Sequence, residues 1–181
     1  MKRILMLALF GVAIVGAAFQ YATKAWATPG SGFTAVTLAQ GTLAQFEVFN
    51  HVVLPNLKHE DRKIWLDFQK TKGDSDLYIQ SNTWAAPQDG QPIPNTGWHS
   101  HPGHSLIIVT AGTLTDYEAD DPSCTPHVYT AGMAFVDQGG SHAHIIRNEG
   151  TVVAQNIAVQ IVPAGQARRV DLPSAPGNCP F

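Results

Sequence analysis

Charge is scarce in this chain. Asp, Glu, Lys and Arg make up 14% of its 181 residues, against about 25% in an average soluble protein, which argues against disorder, coiled coils and helical repeats. The 11 bases are fewer than the 14 acids. No stretch gathers them on one face, so a phosphate backbone would find no counter-surface and nucleic acid is not expected as a partner. Helical segments are equally scarce. The only candidate, Leu54 to Lys63, carries Pro55 and lacks an apolar stripe, so it reads as a turn or one short helical piece. No internal repeat, low-complexity tract or domain boundary interrupts the chain.

Turns are plentiful, with 16 Gly and 12 Pro, and between them recur short segments rich in β-branched and aromatic residues. Strands are expected near Phe33 to Leu38, Leu43 to Phe49, Lys63 to Phe68, Leu77 to Thr83, Ser105 to Thr110, Thr113 to Tyr117, His127 to Tyr129, Ala134 to Asp137, His142 to Asn148 and Val152 to Ile161. Ten strands at this spacing predict an all-β protein whose sheet is closed or sandwiched, a single domain over 33–181 with a C-terminal tail.

The first residues read differently. Lys2 and Arg3 precede an uncharged apolar run from Ile4 to Phe19, and Ala25-Trp26-Ala27 supplies small residues before a cut, the layout of a secretory signal over 1–27. Cleavage there would leave a short flexible linker over 28–32 and a domain with eight bases against 14 acids, net −6. The competing expectation is an uncleaved anchor, since Ala17 to Ala22 could extend the apolar core towards the roughly 20 residues that span a bilayer. Either way the domain is expected outside the cytoplasm, periplasmic or secreted, touching a membrane only through that segment.

Cysteine occurs twice, at Cys124 and Cys179, each in a Pro-containing loop. In an oxidising compartment such a pair forms a bridge more often than two free thiols, although spacing alone does not show that the two Cα atoms approach.

Histidine carries the chemical signal. Five of the eight fall in two clusters, His99, His101 and His104, then His142 and His144. Residues two apart on a strand share a face, so His99 with His101, and His142 with His144, can each present two imidazoles in one direction. Neutral imidazoles can surround one cation without mutual repulsion.

Gly97-Trp98-His99-Ser100-His101-Pro102-Gly103-His104-Ser105, followed by six residues and Gly112, resembles the first cupin motif. Gly132 to Asn148, with His144 and then Asn148 after three residues, resembles the second. The resemblance implies a double-stranded β-helix (jelly-roll) barrel, commonly a homodimer, with a divalent metal held by residues of both motifs. Two departures stand out: Ser105 occupies the place of the family's liganding glutamate, and Gln138 stands where proline is usual, the nearby glycine being one place out of step with His144. The ligands carried over are therefore His99, His101 and His144. His104 and His142 are further candidates, as a substitute for the glutamate, a fourth ligand or an acid-base group.

Three neutral imidazoles leave a divalent ion its full +2 charge, which favours an anionic or bidentate oxygen ligand. Histidine-only ligation admits Zn, Fe, Cu, Ni or Mn. Trp84, Leu106, Ile108, Phe135 and Ile146 are candidates for the barrel interior, while Trp98 is expected on the opposite face from His99. Tyr117 and Asp137 could add polar function; Arg168-Arg169 and the acids Glu118, Asp120 and Asp121 are expected in solvent. Two functions follow. One is a metal-dependent enzyme, dioxygenase-like or hydrolytic or isomerising, acting on a small anionic or oxygen-rich molecule; the other is a non-catalytic module that captures a small ligand or the metal itself.

Overall fold

A computed structural model describes residues 29–54 and 64–181. The signal or anchor expected over 1–27 lies outside the described residues, as does the turn expected from Leu54 to Lys63 except for Leu54 itself. Twelve strands and no helix occur among the described residues. They are β1 (Phe33–Leu43), β2 (Glu47–Val53), β3 (Ile64–Lys70), β4 (Ser75–Trp84), β5 (His99–Ser100), β6 (Ser105–Ala111), β7 (Thr113–Glu118), β8 (His127–Thr130), β9 (Ala134–Asp137), β10 (Ala143–Arg147), β11 (Ala154–Pro163) and β12 (Val170–Asp171).

Two five-stranded antiparallel sheets face each other, one ordered β1-β4-β11-β6-β9 and the other β12-β5-β10-β7-β8, with β2 and β3 paired as a separate hairpin. Apart from β7 and β8, neighbours in each sheet are not consecutive in the chain, which is the interleaving of a double-stranded β-helix. The described part of the 28–32 segment is tied to the barrel: Ser31 and Asn95 exchange backbone hydrogen bonds, and Ala85 donates to the Gly32 carbonyl.

Strand alternation explains where the core sits. On β11, Ala154, Asn156, Ala158, Gln160 and Val162 are buried, and on β6 the buried set is Ser105, Ile107 and Val109. Several of these inward residues are small or polar, so the sheets do not fill the space between them. One end is closed by Trp84, Val109, Leu114, Phe135, Ile146 and Ala154, with Phe33 packed against them. Trp84 is fully buried and its indole N–H donates across the barrel to the Ile146 carbonyl at 3.2 Å.

Leu106 and Ile108, expected inside, are each 53% exposed. The sheet is apolar outside too, with Val136 exposed beside them on β9 and Val36 and Leu38 exposed on β1 at the far edge. The polar residue Ser105 therefore takes the inward parity, and an apolar-inward assumption inverts the strand by one residue.

Glycines of the two motifs are structural. Gly112 turns β6 into β7 at φ +68°, and a Cβ there would lie 2.6 Å from the Val153 carbonyl oxygen. Gly139, at φ +66°, lies so close to the loop after β5 that a Cβ would fall 2.2 Å from the Gly103 oxygen. That approach brings the two motif loops together. Asn148 is buried and accepts from Gly150 N–H while donating to the Ala85 and Val152 carbonyls. It ties loops and is no ligand.

The outer face of the β5/β10/β7 sheet is covered by the tail. Trp98, Tyr117, Ile145 and Cys179 pack there, and Trp98 lies on the face opposite His99 as expected. Cys179 is bonded to Cys124, with Cα atoms 5.3 Å apart, and Phe181 meets Tyr117 edge-on while the Arg147 guanidinium lies over its ring.

Candidate metal centre

His99 lies on β5 and His144 directly opposite it on β10, while His101 follows β5 by one residue. Sequence positions more than 40 residues apart thus meet through one cross-strand pair. All three rings are buried, with centroids 4.8 Å (His99 to His101), 4.6 Å (His99 to His144) and 5.8 Å (His101 to His144) apart. One nitrogen from each lies within 4.8 Å of the other two.

The second nitrogen of each ring is already engaged. Nδ1 of His99 is 2.9 Å from the Gly97 carbonyl, Nδ1 of His101 is 2.7 Å from the Arg168 carbonyl, and Nδ1 of His144 is 3.1 Å from Oδ1 of Asp116. Carbonyls and carboxylates only accept, so each Nδ1 carries a proton, and in the neutral rings Nε2 holds the lone pair. Metal-binding histidines are oriented in this way. His144 Nε2 is buried without a hydrogen-bond partner, which would be costly in a protein with nothing to place there. The donor set fits a divalent ion.

Metal-free, the three rings cannot all be charged. Burial lowers His99 well below its ordinary value, with the charges of His144, Arg169 and His101 adding to the effect. Burial also lowers His101 to about 4. Burial opposes charge on His144 as well, but Asp116, then Asp137 and Glu118, outweigh it and hold His144 at about 9. One proton therefore settles on His144 and repels any on its neighbours.

A pH dependence follows from these shifts. Unfolding restores all three rings to about 6.5. Below that, His99 and His101 take up protons on unfolding, so the fold loses stability as pH falls towards about 4. The stabilisation from charged His144 is complete below 6.5 and is lost as pH rises through about 9. Through these three groups, melting temperature of the metal-free protein should peak near pH 6.5; a flat profile between pH 5 and 9 in scanning calorimetry would contradict the assignment.

Asp116 is the residue that sequence reasoning passed over. It is buried on β7 across from Ile146, and only the β7/β10 register brings it to His144. Asp116→Asn should weaken metal binding roughly 10- to 100-fold, as loss of a ligand's carboxylate partner does elsewhere, measurable by competition with a chromophoric chelator.

The remaining candidates lie elsewhere. His104 is half-buried in a groove between the Pro102-Gly103 turn and the β3 end. His142 is 40% exposed by side chain and sits 3.2 Å from Asp120, in a rim group with Glu118. Neither joins the three-histidine set. Arg168 and Arg169, expected in solvent, instead line the cavity beside the histidines, while Arg169 also donates to the Thr96 carbonyl. Glu118 is likewise half-buried rather than solvated, paired across from His144. Tyr117 bonds Glu149 on the outer side.

The cavity has a volume of about 40 Å³, room for roughly three waters. Phe33, Trp84, Ile107 and Ile146 form its apolar wall; Ser105, Asn156 and Gln160 its polar one. Two amide atoms on that polar wall, Asn156 Nδ2 and Gln160 Oε1, are buried without partners.

No family model and no curated protein matches the chain. Solved structures do. A protein with a double-stranded β-helix domain from Klebsiella pneumoniae is 18% identical over 54% of this chain and 74% of its own, with a TM-score of 0.39. A conserved protein of unknown function from Streptococcus pyogenes is 16% identical over 54% of this chain and 70% of its own, TM-score 0.38. An oxalate oxidase is 21% identical over 49% of this chain, TM-score 0.38, and the match spans 46% of the oxidase, less than half its length. The chain's own two sheets and their strand order define the class: an all-β double-stranded β-helix of the cupin fold, with a three-histidine group between its sheets.

Proposed function

We propose that this protein is an exported metal-dependent enzyme, of dioxygenase type, acting on a small anionic, oxygen-rich molecule. The observation that carries the reading is the set of three buried imidazoles whose Nδ1 atoms are held from behind while one nitrogen of each converges on the others. A divalent ion bound there would supply Lewis acidity or, as iron, the ability to engage dioxygen. The protein's own groups do the rest. Arg168, half-buried at the cavity and without an ion-pair partner among the described residues, offers its guanidinium to a substrate carboxylate. Burial and then the adjacent Arg169 lower its pKa, which marks a cation short of counter-charge. Asn156 presents an unused donor to a substrate oxygen, and Gln160 an unused acceptor to a substrate hydroxyl. Trp84 and Phe33 exclude bulk water from one side.

Dioxygen uptake by Fe(II)-loaded protein, run against a panel of small carboxylates, thiols and phenols, tests the reading. Turnover with a carboxylate, reduced in Arg168→Gln through a raised KM, is the expected result. Tight stoichiometric capture of a panel member, with no turnover under any metal, would replace the enzyme with a binding module.

Export is supported by the leader layout and by the Cys124–Cys179 bridge. N-terminal sequencing beginning at Thr28 is expected; an intact Met1 in the membrane fraction would instead mark an anchor. A second copy of the chain is proposed as partner, because Phe49, Trp65, Leu66 and Phe68 of the hairpin are exposed together with the outer faces of β1, β6 and β9.

A further inference from the structure

The first motif lacks its carboxylate, since Ser105 stands where a glutamate is usual, yet a carboxylate is present one strand away. Asp137 ends β9 and pairs directly with Ser105 of β6, both side chains being buried on the inner face. Its Oδ1 accepts the Gly139 N–H at 2.9 Å. Its Oδ2 accepts the Ser105 hydroxyl at 3.1 Å, and Ser105 in turn accepts from Gln160 Nε2 at 3.1 Å. This chain of bonds holds Oδ2 3.7 Å from Nε2 of His101, at the edge of the three-histidine group, whose own nitrogens lie within 4.8 Å of one another. Two atoms bound to one ion at about 2.0 to 2.1 Å in a tetrahedron lie about 3.4 Å apart, so the spacing is within a few tenths of an ångström of that of co-ligands.

Charge points the same way. Among the described residues the only ion-pair partner of Asp137 is His101. Asp116 and Asp137 together bring two carboxylates to the histidine group, a number that suits one divalent ion.

We propose that Asp137 is the fourth protein ligand of the metal, delivered from β9 in place of the carboxylate that β6 lacks at Ser105. The proposal rests on the three-histidine group being a metal centre. Ser105 then has a role of its own, holding the replacement carboxylate in line. The centre's charge falls from +2 to +1, and with four protein ligands only an ion of five- or six-fold coordination keeps room for substrate.

The test is titration of Co(II) into wild type, Asp137→Asn and Asp137→Asn/Ser105→Glu, reading affinity by chelator competition and coordination by the visible ligand-field bands. Asp137→Asn is expected to bind at least roughly 100-fold more weakly with altered bands, and the added glutamate to restore both. Unchanged affinity and bands in Asp137→Asn, or weakened affinity with wild-type bands, would overturn the proposal and leave Asp137 a hydrogen-bond partner of His101. Should Asp137→Asn fail to fold, Asp137→Glu must shift the bands while retaining binding; unshifted bands would overturn it equally. A wild type that binds no Co(II), Zn(II), Mn(II) or Fe(II) would remove the metal centre itself, an outcome distinct from failure of Asp137 alone.

Discussion

Protein carrying His99→Ala and His101→Ala together should contain no metal after purification in a medium where the wild type is loaded. The magnitude follows from ligand counting. A four-ligand zinc site binds with about 10–16 kcal/mol, or about 3 kcal/mol per ligand if shared evenly, so two lost ligands weaken binding by at least about 10⁴-fold. The variant should still fold, because the barrel end closed by Trp84, Val109 and Leu114 is untouched. The metal-free variant should also lose the stability decline below pH 6.5, since the two imidazoles that resist protonation are gone. Elemental analysis and calorimetry on both proteins check these results. Equal metal content would remove the histidines from any site.

The second large effect concerns stability. Replacing both cysteines by serine opens a link between positions 55 residues apart, and loop closure over that length is worth about 4 kcal/mol. The bridge also holds the tail over Trp98, Tyr117 and Ile145, so its loss should expose Trp98 and red-shift its fluorescence. Metal affinity should change little, because the histidines project from the opposite face of the same sheet. Chemical denaturation monitored by fluorescence measures the loss. A destabilisation below about 1 kcal/mol would show that the tail stays docked without its staple, through Phe181 and β12 alone.

Local pattern carried much of this molecule. The ten expected strands correspond to ten of the twelve observed, and Ala134 to Asp137 agrees at both ends. β5 and β12 were illegible because two-residue strands have no alternation to read; they exist only through pairing with each other, β5 also pairing with β10. Period two paired His99 with His101 and His142 with His144, and the resemblance to the two cupin motifs singled out His99, His101 and His144.

What the sequence by itself determined, then, is an all-β barrel, its strand positions and the three imidazoles, because these depend on neighbours a few residues apart. Tertiary structure decided everything that depends on register between distant strands. The β6/β9 and β6/β11 pairings turned Ser105 inward and Leu106 and Ile108 outward. The β7/β10 pairing set Asp116 behind His144, and the segment leading into β12 carried Arg168 to the cavity. His104 and His142 missed the centre because each lies just outside a strand, one residue before β6 and β10 respectively, where the strand rule that grouped His142 with His144 no longer holds. An apolar outer face removed the usual contrast between inside and outside, so only the long-range hydrogen-bond ladder could choose which side of β6 became the site.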